Sequence, residues 1–285
     1  MTTVKPNTDK LTSTQPIVLS FLVTLLLAFG HNARVVANDA NVTRLDFQEN
    51  GKGVLGDRNN LSGHVNISEV FYNGGSFWSQ GKPTALGEWM NKRSRFQVRF
   101  IPRDTTKKKI YLSPPRGIPW EEIDTDGLFK QPILFLDSDS RNSEIYLSEA
   151  ECENLRHYLV ERGGFLFVDD SSGIEGEFYR SIRRILEELL PMYPIEWIPD
   201  DHKMFRCFYH MGGAPVGMNP GNRPLALEGI SINGRLAVVI SQRGYWSLFT
   251  GSSEHYCPGA MRFGTNMIVY AVTNGNVSDK SEFSP

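Results

Sequence analysis

The sequence predicts an α/β fold, a single doubly wound three-layer sandwich around a mostly parallel sheet. Two observations support this prediction. Short runs of consecutive apolar residues alternate with segments whose apolar residues recur every three or four positions, as buried strands and amphipathic helices do. One strand, helix and strand also follow one another within about 35 residues, the length of a right-handed βαβ crossover.

That βαβ unit has the clearest signals. The apolar run at 132–136 predicts a strand buried on both faces. Ser148 and Glu151 have the spacing of a capping box, which satisfies free backbone N–H groups where a helix starts. Gly163 and Gly164 predict the left-handed stop at the end of that helix.

The remaining elements follow from the same two periodicities. They predict strands at 65–72, 96–101, 165–168, 195–198 and 236–240, and helices at 84–92, 177–190 and 260–272. The predicted organisation is a signal peptide at 1–37, a flexible extension at 38–65, the α/β domain at 66–275 and a tail at 276–285.

The amino terminus has the pattern of a secretory signal. Lys5 and Lys10 precede an uncharged apolar run at 17–30, and Val35 and Ala37 occupy the small-residue positions of a cleavage site. The run is shorter than the roughly 20 residues that span a bilayer, which favours cleavage and a periplasmic or extracellular location. An uncleaved membrane anchor formed by residues 17–30 is the alternative, and it would be the only contact with a membrane.

Charge and cysteine content narrow the classes of partner. The formal net charge is -2, which gives no general attraction to phosphate backbones and argues against nucleic acid as a partner. A small ligand or an envelope protein remains as the partner class. The three cysteines leave two alternatives open, a bridge between Cys207 and Cys257 or three buried thiols.

In a parallel sheet, ligands bind outside the carboxyl ends of the strands. Small, acidic and hydroxylic residues follow the predicted strands, and His202 belongs to a turn or to a loop over the same crevice. The candidate ligand-binding residues are therefore Asn73, Gly74, Gly75, Asp169, Asp170, Ser171, His202, Ser241 and Arg243.

Four of the acidic residues at this edge are also candidate metal ligands: Asp137, Asp139, Asp169 and Asp170. Carboxylate oxygens are hard ligands, so the metal would be Mg²⁺, Ca²⁺ or Mn²⁺. The alternative is that two of these carboxylates cap helices and the others face water.

A set of motifs, in order and spacing, resembles the bacterial domain-of-unknown-function family 4159. It comprises Tyr72-Asn73-Gly74-Gly75, Gly163-Gly164-Phe165-Leu166-Phe167-Val168-Asp169-Asp170, Pro199-Asp200-Asp201-His202, Leu227-Glu228-Gly229-Ile230 and Gly264-x-Asn266-x-x-x-Tyr270. The resemblance covers about residues 68–274. It implies a fold similar to class I glutamine amidotransferases, often in exported or membrane-tethered proteins, and no established activity.

One departure from that family bears on chemistry. Asp137-Ser138-Asp139-Ser140 stands where relatives tend to have a Gly-His pair, and no cysteine follows a predicted strand. Glutamine amidotransfer needs a cysteine nucleophile at such an elbow, so this activity is not expected. Two functions remain: an exported, non-catalytic module that binds a ligand or partner, or a metal-assisted hydrolase using the acidic residues.

The signal sequence makes a direct prediction. A reporter fused to residues 1–40 should cross the cytoplasmic membrane and acquire a new amino terminus near Asn38, which N-terminal sequencing measures. Full-length fusion in the membrane fraction would favour the anchor instead. A fusion that stays in the cytoplasm would contradict export.

Overall fold

The computed structural model describes residues 62–102, 108–124, 126–138, 143–171, 176–218, 227–252 and 257–274. The predicted signal peptide, most of the predicted extension, the tail and Asp139 lie outside these residues. In the described part, no helix is both long enough and apolar enough to span a membrane.

The described residues form ten strands and five α-helices. The strands are β1 (Ser62–Ser68), β2 (Val70–Tyr72), β3 (Gly75–Ser76), β4 (Arg95–Ile101), β5 (Ile110–Tyr111), β6 (Leu134–Asp137), β7 (Leu166–Asp169), β8 (Ile195–Trp197), β9 (Glu228–Ile232) and β10 (Arg235–Ser241). The helices are α1 (Thr84–Arg93), α2 (Glu149–Val160), α3 (Glu177–Leu189), α4 (Tyr245–Thr250) and α5 (Pro258–Thr273).

The strands are arranged in three sheets. The main sheet has the order β6-β7-β10-β9-β8, with β6, β7 and β10 parallel and the last two strands antiparallel to their neighbours. β1 pairs with β4 in parallel, and β2 pairs with β3 and β5. The predicted α/β class is therefore confirmed, but the strands form three sheets, two of them mixed, in place of the mostly parallel sheet of a three-layer sandwich.

The antiparallel part of the main sheet has a local cause. Asn233 and Gly234 both have positive φ, 52° and 76°, and connect β9 directly to β10. A two-residue turn of this conformation forms a hairpin, so the strands it joins must be antiparallel. The Asn-Gly pair is a strong sequence signal for such a hairpin, and β9 was missing from the predicted elements.

The capping box at the start of α2 is confirmed. The Ser148 hydroxyl accepts a hydrogen bond from the Glu151 N–H at 3.3 Å, and the Glu151 carboxylate accepts one from the Ser148 N–H at 2.8 Å. The predicted strand at 65–72 is divided into β1 and β2 at Glu69. Helix α4 was not predicted because its six residues are mostly buried aromatic and apolar and show no polar face.

Aromatic packing fixes one face of the main sheet. Phe167 on β7 contacts the rings of Phe249 on α4 and Phe263 on α5, at centroid distances of 6.2 Å and 6.0 Å. Side chains alternate between the faces of a strand, so Asp169 points to the same face two residues later. Asp137 follows Phe135 on β6 in the same way, and both carboxylates therefore enter a packed interior.

The two glycines after α2 are expected to respond differently to alanine. Gly163 has a φ of +69° and open space around it, so Gly163→Ala should cost about 1 kcal/mol of backbone strain. A Cβ on Gly164 would lie 2.2 Å from the buried Tyr158 ring, whose hydroxyl is hydrogen-bonded to Phe165. Gly164→Ala should therefore cost more, roughly 2 to 3 kcal/mol, in urea unfolding. Equal losses for the two variants would contradict this packing.

Candidate functional site

The carboxyl ends of three parallel strands form one aligned row. Asp137 on β6 is the register partner of Asp169 on β7, and Asp169 is the register partner of Ser241 on β10. The prediction that the acidic residues after two strands emerge at one edge of the sheet is thus confirmed for Asp137 and Asp169. All three residues are buried.

Asp137 anchors a turn that precedes α1. Its side chain is 2% exposed, and its carboxylate accepts hydrogen bonds from the N–H groups of Ser79 and Gln80 at 2.8 Å and 3.1 Å and from the Ser79 hydroxyl at 3.0 Å. Burial raises the pKa of Asp137 well above its ordinary value, and repulsion from Asp169 adds to the increase. The three hydrogen bonds from Ser79 and Gln80 lower the pKa, because they stabilise the charged form of the carboxylate.

Asp169 joins β7 to the start of α4. One carboxylate oxygen accepts hydrogen bonds from the Trp246 N–H at 2.7 Å and the Ser171 hydroxyl at 3.2 Å. Burial raises the pKa of Asp169 to about 6, although these bonds and one from Ser241 favour ionisation. Asp169 therefore has a structural role at the helix start in addition to its place in the row.

Ser138 connects the ends of β6 and β7. Its hydroxyl donates to the Asp170 carboxylate at 3.3 Å and accepts from the Ser171 N–H at 2.8 Å. Ser138 and Asp170 are both buried. This contact brings three of the residues expected after the two strands into one hydrogen-bonded group.

The turn at Asn73, Gly74 and Gly75 is attached to α2. The Asn73 N–H donates to the Glu151 carboxylate at 2.5 Å, so the same side chain that closes the capping box also holds this turn. A Cβ on Gly74 would lie 2.6 Å from the Tyr72 ring, so a larger residue there would displace that ring. Glu151 was predicted only as a helix cap, and sequence spacing held no signal for its second contact.

A pocket of about 320 Å³ opens between this turn and the end of β6. Hydroxyl and carboxyl groups make up most of its polar lining, and the walls also carry apolar side chains. The lining residues are Tyr72, Gly74, Ser79, Asp137, Ser143, Glu144, Ile145, Tyr146 and Phe178. Of the sequence candidates, Gly74 and Asp137 belong to this lining.

Glu144 contributes a negative charge to the pocket, and Tyr146 contributes an aromatic surface. The Tyr146 side chain is 67% exposed, and its hydroxyl donates to Glu144. Arg184 also donates to Glu144, at 2.6 Å. These two hydrogen bonds, from Tyr146 first and Arg184 second, lower the pKa of Glu144 and keep it ionised. Both residues were missed, because they lie in an irregular segment with no periodicity.

His202 does not join this site. Its ring packs against Tyr270 at a centroid distance of 5.6 Å, and the Tyr270 hydroxyl accepts a hydrogen bond from Leu236 at the amino end of β10. His202 instead precedes a short 3-10 helix and accepts from the Met204 N–H at 3.2 Å. His202 therefore belongs to a turn and not to a loop over the crevice.

The placement of the acidic and cysteine side chains bears on metal and disulfide chemistry. In the described ranges, no group of three or more His, Cys, Asp or Glu side chains is placed to hold a metal ion. Asp139, the fourth predicted ligand, lies outside them. Cys152, Cys207 and Cys257 are free thiols, so the alternative bridge between the last two is not formed.

The fold and site define an α/β protein with a polar pocket at the carboxyl end of a parallel strand. The chain belongs to the family described as Domain of unknown function (DUF4159), whose model matches residues 87–272. The match begins after the turn at Ser79 and Gln80, so part of the pocket lies ahead of the matched residues. No match to a curated protein adds to this assignment.

The raised pKa of Asp169 predicts a pH-dependent contribution to stability. A folded-state pKa of about 6, against 3.8 ordinarily, means that the folded protein binds this proton more tightly. Relative to Asp169→Asn, the wild type should therefore lose about 3 kcal/mol of unfolding free energy as the pH rises from about 3 to about 7, most of it between the two pKa values. Urea titrations of both proteins across this interval measure the difference, which includes the repulsion that Asp169 exerts on Asp137. Parallel profiles for the two proteins would contradict the shift.

Proposed function

We propose that this protein is an exported, non-catalytic module that binds a small polar ligand in the pocket at the end of β6. The ligand class is a neutral or cationic molecule rich in hydroxyl or amino groups. The observation that carries the proposal is the composition of the pocket, whose polar groups are hydroxyls and two carboxyl groups beside apolar and aromatic walls.

The size and chemistry of the pocket support this ligand class. A volume of about 320 Å³ is at the lower end of the range for small-molecule sites. Glu144 is ionised and can only accept hydrogen bonds, so it favours a ligand that donates them. The exposed ring of Tyr146 adds an apolar face that can stack on a sugar or contact an ammonium group.

Binding is favoured over catalysis because the reactive groups already have structural partners. The carboxylate of Asp137 accepts three hydrogen bonds, two from the N–H groups of Ser79 and Gln80 and one from the Ser79 hydroxyl. A general base needs a free lone pair directed at the substrate. In this pocket three of the roughly four acceptor sites of the Asp137 carboxylate instead hold the wall in place.

The arrangement of the parallel strands and the pattern of the amino terminus support the scaffold and the export that we propose. The parallel strands β6, β7 and β10, with α2 crossing from the first to the second, agree with an amidotransferase-like scaffold such as the family resemblance implies. The charged and apolar pattern of residues 1–37 supports export. We therefore infer a scaffold of enzymatic type used for binding outside the cytoplasm.

Ligand binding can be tested with Glu144→Gln, which removes the charge and keeps the shape. Isothermal titration of the purified protein with monosaccharides and with short diamines should find a binder, and the variant should weaken it roughly tenfold. Glu187→Gln is the matched control because Glu187 also pairs with an arginine, Arg183 at 3.0 Å, and does not line the pocket.

Two outcomes would contradict the proposed function. The first is that no member of either ligand class binds to the folded wild type. The second is that both variants bind with the affinity of the wild type, since the ligand would then occupy another part of the surface.

A further inference from the structure

Arg243 is a buried cation at the carboxyl end of β10. It follows Ser241 by two residues, and its side chain is only 2% exposed. The guanidinium group is a cation, so a positive charge is buried with it. It does not line the pocket at the end of β6.

The contacts of Arg243 satisfy only part of its side chain. Nη1 donates to the Pro215 carbonyl at 3.2 Å. Nε and Nη2 are buried and have no hydrogen-bond partner among the described residues. None of the ion pairs formed by the described residues includes Arg243. A buried charge normally has a partner, and among the described residues a single neutral carbonyl accepts a hydrogen bond from this side chain.

The geometry of the unsatisfied atoms selects a ligand class. Nε–H and one N–H of Nη2 point in parallel from the same edge of the guanidinium plane, and this edge matches the two oxygens of a carboxylate or phosphate. The bond from Nη1 to Pro215 holds the plane from the other side. The edge is therefore preorganised for a bidentate contact.

The segment around Pro215 is itself fixed. Its carbonyl also accepts a hydrogen bond from the Tyr245 hydroxyl at 2.5 Å. A Cβ on Gly217 would lie 2.1 Å from the Arg243 carbonyl oxygen, so the two backbones are in close contact. The arginine is thus held between β10 and this segment, which limits its freedom to turn toward another partner.

We propose that the Nε–Nη2 edge of Arg243 binds a small oxyanion, a carboxylate or phosphate group, in a second site at the carboxyl end of β10. This site is distinct in position and in charge preference from the pocket that binds donor-rich ligands. The oxyanion supplies a negative partner, which none of the ion pairs of the described residues gives the buried guanidinium. The proposal does not depend on the function assigned to the pocket.

The test uses the full-length protein and three simple salts. Sodium acetate, sodium phosphate and sodium chloride are added at matched ionic strength and millimolar concentration, and the arginine Nε–H signals are followed by ¹⁵N NMR. We expect one protected Nε–H signal to shift saturably with acetate or phosphate and not with chloride. A response to acetate alone assigns a carboxylate ligand, and a response to phosphate alone assigns a phosphate.

Variants assign the signal to this side chain. Arg243→Lys keeps the charge but loses the two-atom edge, so the acetate or phosphate effect on the melting temperature should disappear. Arg156→Gln removes a largely exposed arginine and should leave the effect unchanged. If Arg243→Lys does not fold, Tyr245→Phe removes the other donor to the Pro215 carbonyl and should shift the same Nε–H signal, which assigns it to Arg243. Equal shifts with chloride, or no saturable shift with either oxyanion, would overturn the proposal.

Discussion

The hydrogen bonds that Asp137 and Asp169 receive are the interactions on which the site depends. Two carboxylates that are register partners in a parallel sheet are forced close together and away from water. The protein meets this electrostatic cost with backbone donors from elsewhere in the chain, the turn at Ser79 for one carboxylate and the start of α4 for the other. Asp137 and Asp169 therefore fix the position of the segments that surround them.

That assembly explains why the pocket has its present shape. The turn bound by Asp137 becomes one wall, and the turn bound by Glu151 becomes another. In each case a buried carboxylate takes up main-chain N–H groups that would otherwise be unsatisfied. The walls are thus formed by loops, but they are held by side chains of regular elements, a strand end and a helix start.

The sequence predicted the parts of this architecture that depend on local chemistry. The apolar runs gave β6 and β7, and the capping box gave the start of α2. That Asp137 and Asp169 emerge at the same edge of the sheet followed from strand direction alone. What failed depends on contacts between distant segments: Glu144 and Tyr146 reach the pocket from an irregular stretch, and His202 is placed by Tyr270 at the opposite end of the strands. Periodicity carries no information about such contacts.

The double use of Glu151 links two events that are usually independent. Helix ends open and close locally with free energies well below that of global unfolding. Because one carboxylate holds both the first turn of α2 and the Asn73 N–H, fraying of this helix also releases a wall of the pocket. A change that loosens the first turn of α2 therefore reaches the wall of the pocket through a single side chain.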